Sequence, residues 1–249
     1  MKGALDFGCF PTGRHYPGIA HLLRVAAAGL AEEFPSTAAL NELSIVSIDT
    51  ETTGRDAIAD RIVEVAAVIW QGGTITERHS WLINPGCLIP AEVTAVHGID
   101  DAAVKDSPSF GEIAADLAAV LVGRVPLAYN ADFDQRFIAE EYARNKIDLG
   151  HAPPALRRGV AWLDPLVWAR ELQKYEKSKA LGEVCSRLGI DLTHAHRATN
   201  DAEAAMQVLT RFIEDARVPK TYGAFVQEQR RLARIQEEER ARWRSGRGG

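Results

Sequence analysis

The first third of the chain carries short apolar runs separated by polar and glycine-rich stretches. Residues 43–49, 61–70 and 74–83 form three such runs, and their length and β-branched composition are typical of buried strands. Gly72 and Gly73 separate the second run from the third, which predicts a hairpin turn. The pattern therefore predicts a sheet that begins with three antiparallel strands.

Beyond Pro85 the apolar residues recur at helical spacing. Phe110, Ile113, Leu117 and Leu121 line one side of a predicted helix that Gly123 ends. Further helices are predicted at 19–34, 131–145, 165–173, 180–188, 200–216 and 222–244, and buried strands at 125–129 and 160–163. This order predicts an α/β fold, in which a mixed sheet of three antiparallel and then parallel strands is flanked by helices.

The pattern divides the chain into three predicted parts: a partly helical N-terminal extension (1–42), a domain of catalytic size (43–216) and a basic helical tail (217–249). The tail holds nine Lys or Arg and four Glu, a net charge of +5, while the whole chain has a net charge of −5. The body must therefore carry −10. Such a tail is either a solvated helix or a contact for a phosphate backbone.

Composition excludes several classes of protein. An apolar fraction of 46% and a charged fraction of 25% exclude a disordered or collagen-like chain. No apolar run reaches the ~18 residues that span a bilayer, so no membrane association is expected. Cys9, Cys87 and Cys185 lie far apart, which disfavours a disulfide framework or a zinc site. A cytoplasmic protein is expected.

Two acidic residues stand at the end of the first predicted strand. Asp49 and Glu51 are two positions apart, so their side chains leave the strand on the same face. Strand ends are where sites form in α/β sheets. Taken alone, this pair is also compatible with a solvated strand end.

Helical periodicity distinguishes the buried from the exposed acids in two later segments. Asp134 is followed at helical spacing by Phe137, Ile138 and Tyr142, whereas Asp132 is followed by polar residues. In the same way Asp201 heads an apolar stripe and Glu203 a polar one. We therefore expect Asp134 and Asp201 to face the sheet.

These four carboxylates predict a metal site. Like charges that converge at about 4 Å repel each other by roughly 4 kcal/mol per pair at an effective dielectric near 20. Carboxylate oxygens without cysteine select Mg²⁺ or Mn²⁺, and two such ions are a known device for phosphodiester hydrolysis. A histidine nearby would act as general base, and position alone leaves both His194 and His196 open.

Four segments carry these residues in order: IVSIDTETTG (45–54), VHGI (96–99), AYNADFDQRF (128–137) and HRATNDA (196–202). In sequence and spacing they resemble the DEDD exonuclease superfamily, in its histidine-bearing (DEDDh, DnaQ-like) branch. That branch includes the proofreading subunit of bacterial replicative DNA polymerase. The resemblance covers about residues 43–213.

The resemblance implies a ribonuclease H-like fold, 3′-to-5′ exonuclease activity and two Mg²⁺ or Mn²⁺ ions per site. It assigns His196 as the base, in preference to His194. As metal ligands, which also count as catalytic, it assigns Asp49, Glu51, Asp134 and Asp201. As residues that contact the terminal nucleotide it assigns Thr52, Thr53, His97 and Asn130.

The expected function is hydrolysis at the 3′ end of nucleic acid, with single-stranded DNA favoured, to release nucleoside 5′-monophosphates in proofreading or repair. One alternative is the same chemistry on RNA or short oligonucleotides. A second is a non-catalytic, nucleic-acid-binding subunit of a polymerase assembly. A DNA polymerase subunit is a further candidate partner.

Overall fold

A computed structural model describes residues 27–148, 151–192 and 197–245. Its sheet has four strands in the order β3-β2-β1-β4. Their bounds are β1 Ile45–Thr52, β2 Ile62–Gln71, β3 Thr74–Leu82 and β4 Val125–Leu127. The first three are antiparallel and β4 runs parallel to β1, so the predicted mixed sheet is confirmed.

The hairpin between β2 and β3 forms where the two glycines predicted it. Gly72 and Gly73 both have positive φ angles, 59° and 85°, which residues with a Cβ rarely adopt. Two consecutive residues of this kind give the turn whose twist matches the flanking strands. The hairpin thereby fixes the pairing of β2 with β3.

Helices cover both faces of the sheet. Their bounds are α1 Ala91–His97, α2 Asp101–Val104, α3 Phe110–Leu121, α4 Ala131–Arg144, α5 Pro165–Leu172, α6 Leu181–Leu188, α7 Ala198–Phe212 and α8 Tyr222–Ser245. The residues of α3 and α4 share one apolar cluster with Val46 and Ile48 of β1. Ile45 belongs to the opposite cluster, with α5, α6, α7 and α8. Successive β1 residues therefore face different helices.

Residues 160–163 do not form the predicted strand. Only Leu163 contributes, through an isolated parallel bridge to Leu127. The Leu163 N–H donates to the Pro126 carbonyl (2.9 Å) and the Leu163 carbonyl accepts from Ala128 (3.1 Å). Pro165, which has no N–H, then starts α5, so the ladder ends after one residue. The described sheet thus has one parallel strand rather than several.

Three helical details differ from the prediction. The short helices α1 and α2 were not predicted, because neither is long enough to show a periodic pattern. Helix α7 begins two residues earlier and ends four residues earlier than expected. The described part of the predicted helix at 19–34 consists mostly of turns, and residues 19–26 lie outside the described residues.

The chain segments on either side of the predicted catalytic domain meet on its surface. Ala39 and Thr221 form an antiparallel bridge, and the buried Tyr222 hydroxyl accepts a hydrogen bond from the Ala31 N–H (3.0 Å). Phe225 and Val226 of α8 are fully buried in the cluster that also contains α7. The first turns of the tail helix therefore complete the core. None of the helices in the described ranges has the length and apolar character that a bilayer crossing requires.

We expect Phe225→Ala to lower the free energy of unfolding by about 3 kcal/mol, because it empties a fully buried aromatic position. The measurement is urea denaturation followed by circular dichroism. Arg234→Ala on the exposed side of the same helix is the matched control and should change stability by less than about 0.5 kcal/mol. If Phe225→Ala lowered the free energy of unfolding no more than Arg234→Ala does, burial of α8 would not stabilise the domain.

Candidate active site

The pleat of β1 places two acids on the face that α7 covers. Residues 45 to 48 of β1 are buried, and the exposure of the strand rises only at Asp49 and Glu51. These two side chains point to the same face as Ser47, whose hydroxyl donates to the Ala202 carbonyl of α7 (2.6 Å). The strand thus carries both carboxylates out of the core beneath the N-terminal end of α7.

Helix α7 brings a third acid to this pair. Ala198 and Ala202 are fully buried against Ala66 and Val68 of β2, and their small side chains let the helix lie close to the sheet. Asp201 lies in the first turn of the helix. One carboxylate oxygen each from Asp49, Glu51 and Asp201 lie within 4.8 Å of one another. We call these three residues the acid cluster.

Asp134 approaches from α4, on the other face of the sheet. Its side chain is buried, and Oδ1 accepts a hydrogen bond from the Thr50 hydroxyl (2.8 Å). Because Thr50 stands between Asp49 and Glu51 in β1, this hydrogen bond places the fourth acid beside the acid cluster, where its charge raises the pKa of both residues. Asp132 of the same helix is exposed and pairs with Arg136, as helical periodicity predicts.

Asp164 fixes the start of α4. Its carboxylate accepts hydrogen bonds from the backbone N–H groups of Asn130 (3.0 Å) and Ala131 (3.2 Å), and it also caps α5 through Leu166 (2.9 Å). Asn130 has a φ of 71°, a left-handed conformation that asparagine tolerates better than most residues. This turn sets the direction in which α4, and with it Asp134, meets the sheet.

Three of the four acids have raised pKa values. Burial raises the pKa of Asp49 well above its ordinary value, and Asp134, Asp201 and Glu51 add to the effect. Burial and the charge of Asp201 raise the pKa of Glu51 to about 7, although Arg197 opposes this. Burial also raises the pKa of Asp134 to about 7, against the hydrogen bond from Thr50. The site thus holds carboxyl groups whose charged forms are disfavoured by burial and by one another.

Glu64 is a further acid that the sequence patterns did not single out. It pairs with Glu51 across β1 and β2, is buried, and raises the pKa of both strand acids of the cluster. The Ser80 hydroxyl donates to it (3.0 Å), and the Arg197 guanidinium lies 3.4 Å away. A glutamate within the apolar run 61–70 was the available signal, since carboxylates are rarely buried without a partner.

The residues predicted to contact the terminal nucleotide lie at the end of β1, at the end of α1 and at the start of α4. Thr52 and Thr53 are buried just past Glu51; Thr52 donates to the Gly54 carbonyl (2.6 Å), and Thr53 accepts from the Arg61 N–H (3.0 Å). Buried His97 ends α1 and accepts from the Ile99 N–H (3.1 Å). Asn130 precedes α4. Their contact with a nucleotide stays a prediction.

Both candidate bases, His194 and His196, lie outside the described residues. Arg197, the next residue along the chain, is described, and it lies beside Glu64. Residue 196 is therefore joined directly to a residue at the edge of the site. The assignment of His196 as the base stays a prediction.

The donor set of the acid cluster fits a divalent cation. It offers only carboxylate oxygens, which are the ligands of Mg²⁺ and Mn²⁺. The mutual repulsion that raises the pKa values of Asp49 and Glu51 is relieved when positive charge enters between them. Asp49, Glu51 and Asp201 would hold such an ion, with Asp134 beside them.

Comparison with known protein families shows which family the chain belongs to. The family model RNase_T, described as exonuclease, matches residues 46–209, which include all four acids. The chain belongs to this exonuclease family. The family resemblance of the four sequence segments is thereby confirmed.

Curated relatives include bacterial polymerases. The chain is 33% identical over 176 residues to the PolC-type DNA polymerase III of Streptococcus thermophilus, and 31% identical over 175 residues to that of Oceanobacillus iheyensis. The matches cover 71% and 70% of this chain. They span only 12% of the length of either polymerase, so they concern a single region of a much longer protein.

Solved exonucleases share the fold. Exonuclease X in complex with 5′ overhanging duplex DNA aligns with a TM-score of 0.57 at 23% identity, over 74% of this chain and 99% of that one. Escherichia coli exonuclease I in complex with a dT13 oligonucleotide aligns with a TM-score of 0.59 at 20% identity, over 71% of this chain and 42% of that one. The ribonuclease H-like fold expected from the sequence is confirmed.

We expect the metal-free protein to lose stability as pH rises from about 4, where unfolded carboxyl groups titrate, through the raised folded values near 7. A group with a raised pKa in the folded state stabilises below its unfolded pKa and loses that contribution above it. Asp49→Asn removes one charge from the cluster. It should raise the melting temperature by about 3 °C at pH 8, and by less at pH 5.

The measurement is thermal unfolding in EDTA at both pH values. Asp132→Asn is the matched control, because Asp132 is an exposed acid of the same site region with 79% of its side chain accessible. It should leave both melting temperatures unchanged. A gain from Asp49→Asn that is equal at the two pH values would contradict charge repulsion as the cause.

Proposed function

We propose that the chain is a metal-dependent 3′-to-5′ exonuclease that acts on single-stranded DNA in proofreading or repair. The convergence of Asp49, Glu51 and Asp201 within 4.8 Å, with Asp134 beside them, carries this proposal. The family supports it, and so do the PolC-type polymerase relatives and the DNA-bound neighbours that share the fold.

Two ions, Mg²⁺ or Mn²⁺, are the proposed cofactors, with Asp49, Glu51, Asp134 and Asp201 as their ligands. When bound, they supply the positive charge that stabilises the attacking and leaving oxygens of the phosphodiester. The rigid strand and the two helix starts hold the four carboxylates in place before substrate arrives. Thr50 keeps Asp134 oriented, because its hydroxyl donates to Oδ1 of that carboxylate.

His196 is the proposed general base. It takes a proton from the attacking water, which then forms a bond to the terminal phosphorus. The bond from phosphorus to the 3′ oxygen of the preceding nucleotide breaks, that oxygen takes up a proton from solvent water, and a nucleoside 5′-monophosphate leaves. Thr52, Thr53, His97 and Asn130 are the proposed contacts of the terminal nucleotide.

The same residues are compatible with RNA or short oligonucleotides as substrates, since none of the side chains named above is assigned to the 2′ position of the sugar. We favour DNA because the relatives are DNA polymerases and both neighbours described above hold DNA. A polymerase assembly is a proposed partner. A cytoplasmic location is also part of the proposal, in keeping with free thiols at Cys87 and Cys185.

The deciding experiment is a time course on 3′-labelled and 5′-labelled DNA and RNA oligonucleotides, with Mg²⁺ and with EDTA. We expect immediate release of the 3′ label as a mononucleotide, gradual shortening of the 5′-labelled strand, and no reaction in EDTA. Release of a 5′-terminal mononucleotide would contradict the polarity, and reaction in EDTA would contradict the metal requirement.

Asp134→Asn and Asp132→Asn form a matched pair on α4. We expect Asp134→Asn to lower the rate about a thousandfold, because Asp134 lies beside the acid cluster, and Asp132→Asn to leave the rate within about twofold. Circular dichroism checks that both variants fold. Equal rates for the pair would remove Asp134 from the site.

Replacing each histidine in turn tests the assignment of the base. His196→Gln should lower kcat about a hundredfold or more, and His194→Gln should have little effect. The measurement is the hydrolysis rate at saturating single-stranded DNA. The reverse order of effects would transfer the role of the base to His194.

A further inference from the structure

A positively charged groove lies between the end of α5 and α8. It has a volume of about 630 Å³ and runs between α5, the loop after it and the second half of α8. Its lining contains two Glu and five basic residues, a net charge of +3 in a chain whose net charge is −5. The basic residues are Arg170, Lys174, Lys179, Arg231 and Arg240. We call this feature the basic groove.

Arg170 is the most unusual member of the lining. It is half-buried, and within the described ranges its guanidinium has no hydrogen bond and no ion pair. Burial lowers the pKa of Arg170, and the charge of Arg240 lowers it further. Arg240 is itself paired with Glu237 (2.8 Å), whose charge opposes the lowering, and an anion beside Arg170 would oppose it further. Asp164, the acidic residue that caps the start of α5, is already held by backbone N–H groups.

The groove also offers an aromatic surface. Trp243 lies at its rim and is 60% exposed, and Leu232 and Ile235 supply apolar lining. Cationic side chains beside an exposed indole are typical of sites for single-stranded nucleic acid, where phosphates meet the cations and a base stacks on the ring. An acidic protein segment would form ion pairs with the basic residues, but its carboxylates would not stack on the indole ring.

A hydrogen bond and an electrostatic interaction connect the basic groove to the start of α4. The Tyr129 hydroxyl donates to the carbonyl of Lys179, a lining residue (2.5 Å). Tyr129 directly precedes the turn that starts α4, the helix that carries Asp134. Asp164 accepts hydrogen bonds from that same turn, and its charge raises the pKa of Arg170. The lining of the groove is therefore joined to the turn that starts α4.

We propose that the basic groove binds the phosphodiester backbone of the single strand whose 3′ end lies at the acid cluster. Arg170 and Arg240 contact phosphates, and Trp243 stacks on a base. This second site rests on the proposed exonuclease function for the identity of its ligand. It gives the tail helix a role in holding substrate, in addition to its role in the core.

The test is equilibrium binding of labelled single-stranded DNA of about 12 nucleotides to the full chain in EDTA, at several salt concentrations. Arg170→Gln and Arg240→Gln should each weaken binding about fivefold and reduce the salt slope by about 0.7. Trp243→Ala should weaken binding about fivefold, and Trp243→Phe should restore most of the loss. Melting temperatures verify folding, and Arg240→Gln is the safer variant because Arg240 is exposed.

Arg234→Gln is the matched control. Arg234 lies on α8 roughly 150° round the helix from the groove side, and 75% of its side chain is exposed. It should leave both affinity and salt slope unchanged. Unchanged binding by the groove variants, or an equal loss for Arg234→Gln, would overturn the proposal.

Two competitors identify the ligand. With Mg²⁺ present, a nucleoside 5′-monophosphate should bind the wild type and the groove variants equally, since it reaches only the acid cluster. A loss equal to that of the long strand would make the groove a mononucleotide site and overturn the proposal. Poly-glutamate that displaces the strand as effectively as unlabelled DNA would identify an acidic protein as the ligand instead.

The experiment separates this proposal from the proposed function. Binding in EDTA requires neither a metal nor hydrolysis. If the wild type hydrolyses nothing but the groove variants still lose affinity, the exonuclease proposal fails and the groove is supported. If the wild type degrades DNA and the variants bind as tightly as it does, the groove proposal fails and the exonuclease stands.

Discussion

Repulsion among clustered carboxylates is the constraint on which the rest of the site depends. One carboxylate oxygen each from Asp49, Glu51 and Asp201 lie within 4.8 Å of one another, and the charges of Asp134 and Glu64 raise the pKa values of Asp49 and Glu51. Flexible side chains would move apart under this repulsion. The protein prevents that by placing two of the acids on a central strand, bonding Ser47 to α7, and bonding Thr50 to Asp134. The domain thereby spends part of its stability on a site that is ready for cations.

The features that local periodicity determines could be read from the sequence. A strand has a period of two, so Asp49 and Glu51 had to share a face. A helix has a period of 3.6, so the apolar stripe after Asp134 marked it as buried while Asp132 stayed exposed. Gly72 and Gly73 marked the hairpin because few other residues accept positive φ. In each case the decisive property lies within a few residues.

The features that sequence patterns missed depend on register and on packing between distant segments. Glu64 becomes part of the acidic site only because β1 and β2 pair it with Glu51. Residues 160–163 have a strand-like composition, but β4 is only three residues long and leaves Leu163 a single bridge. The charge of Arg240 acts on Arg170 from a helix about 70 residues away in sequence. No window of local sequence contains these relations.

Charge distribution makes the two parts of the molecule interdependent. A chain of net charge −5 repels a polyanion at long range, and the acid cluster strengthens that repulsion where the strand must end. Cations at the cluster can compensate only locally, because screening in physiological salt limits their effect to about 8 Å. A strand of several nucleotides therefore needs positive charge farther along its length. The structure places a net charge of +3 between α5 and α8, and Asp164 joins α5 to the turn that orients Asp134.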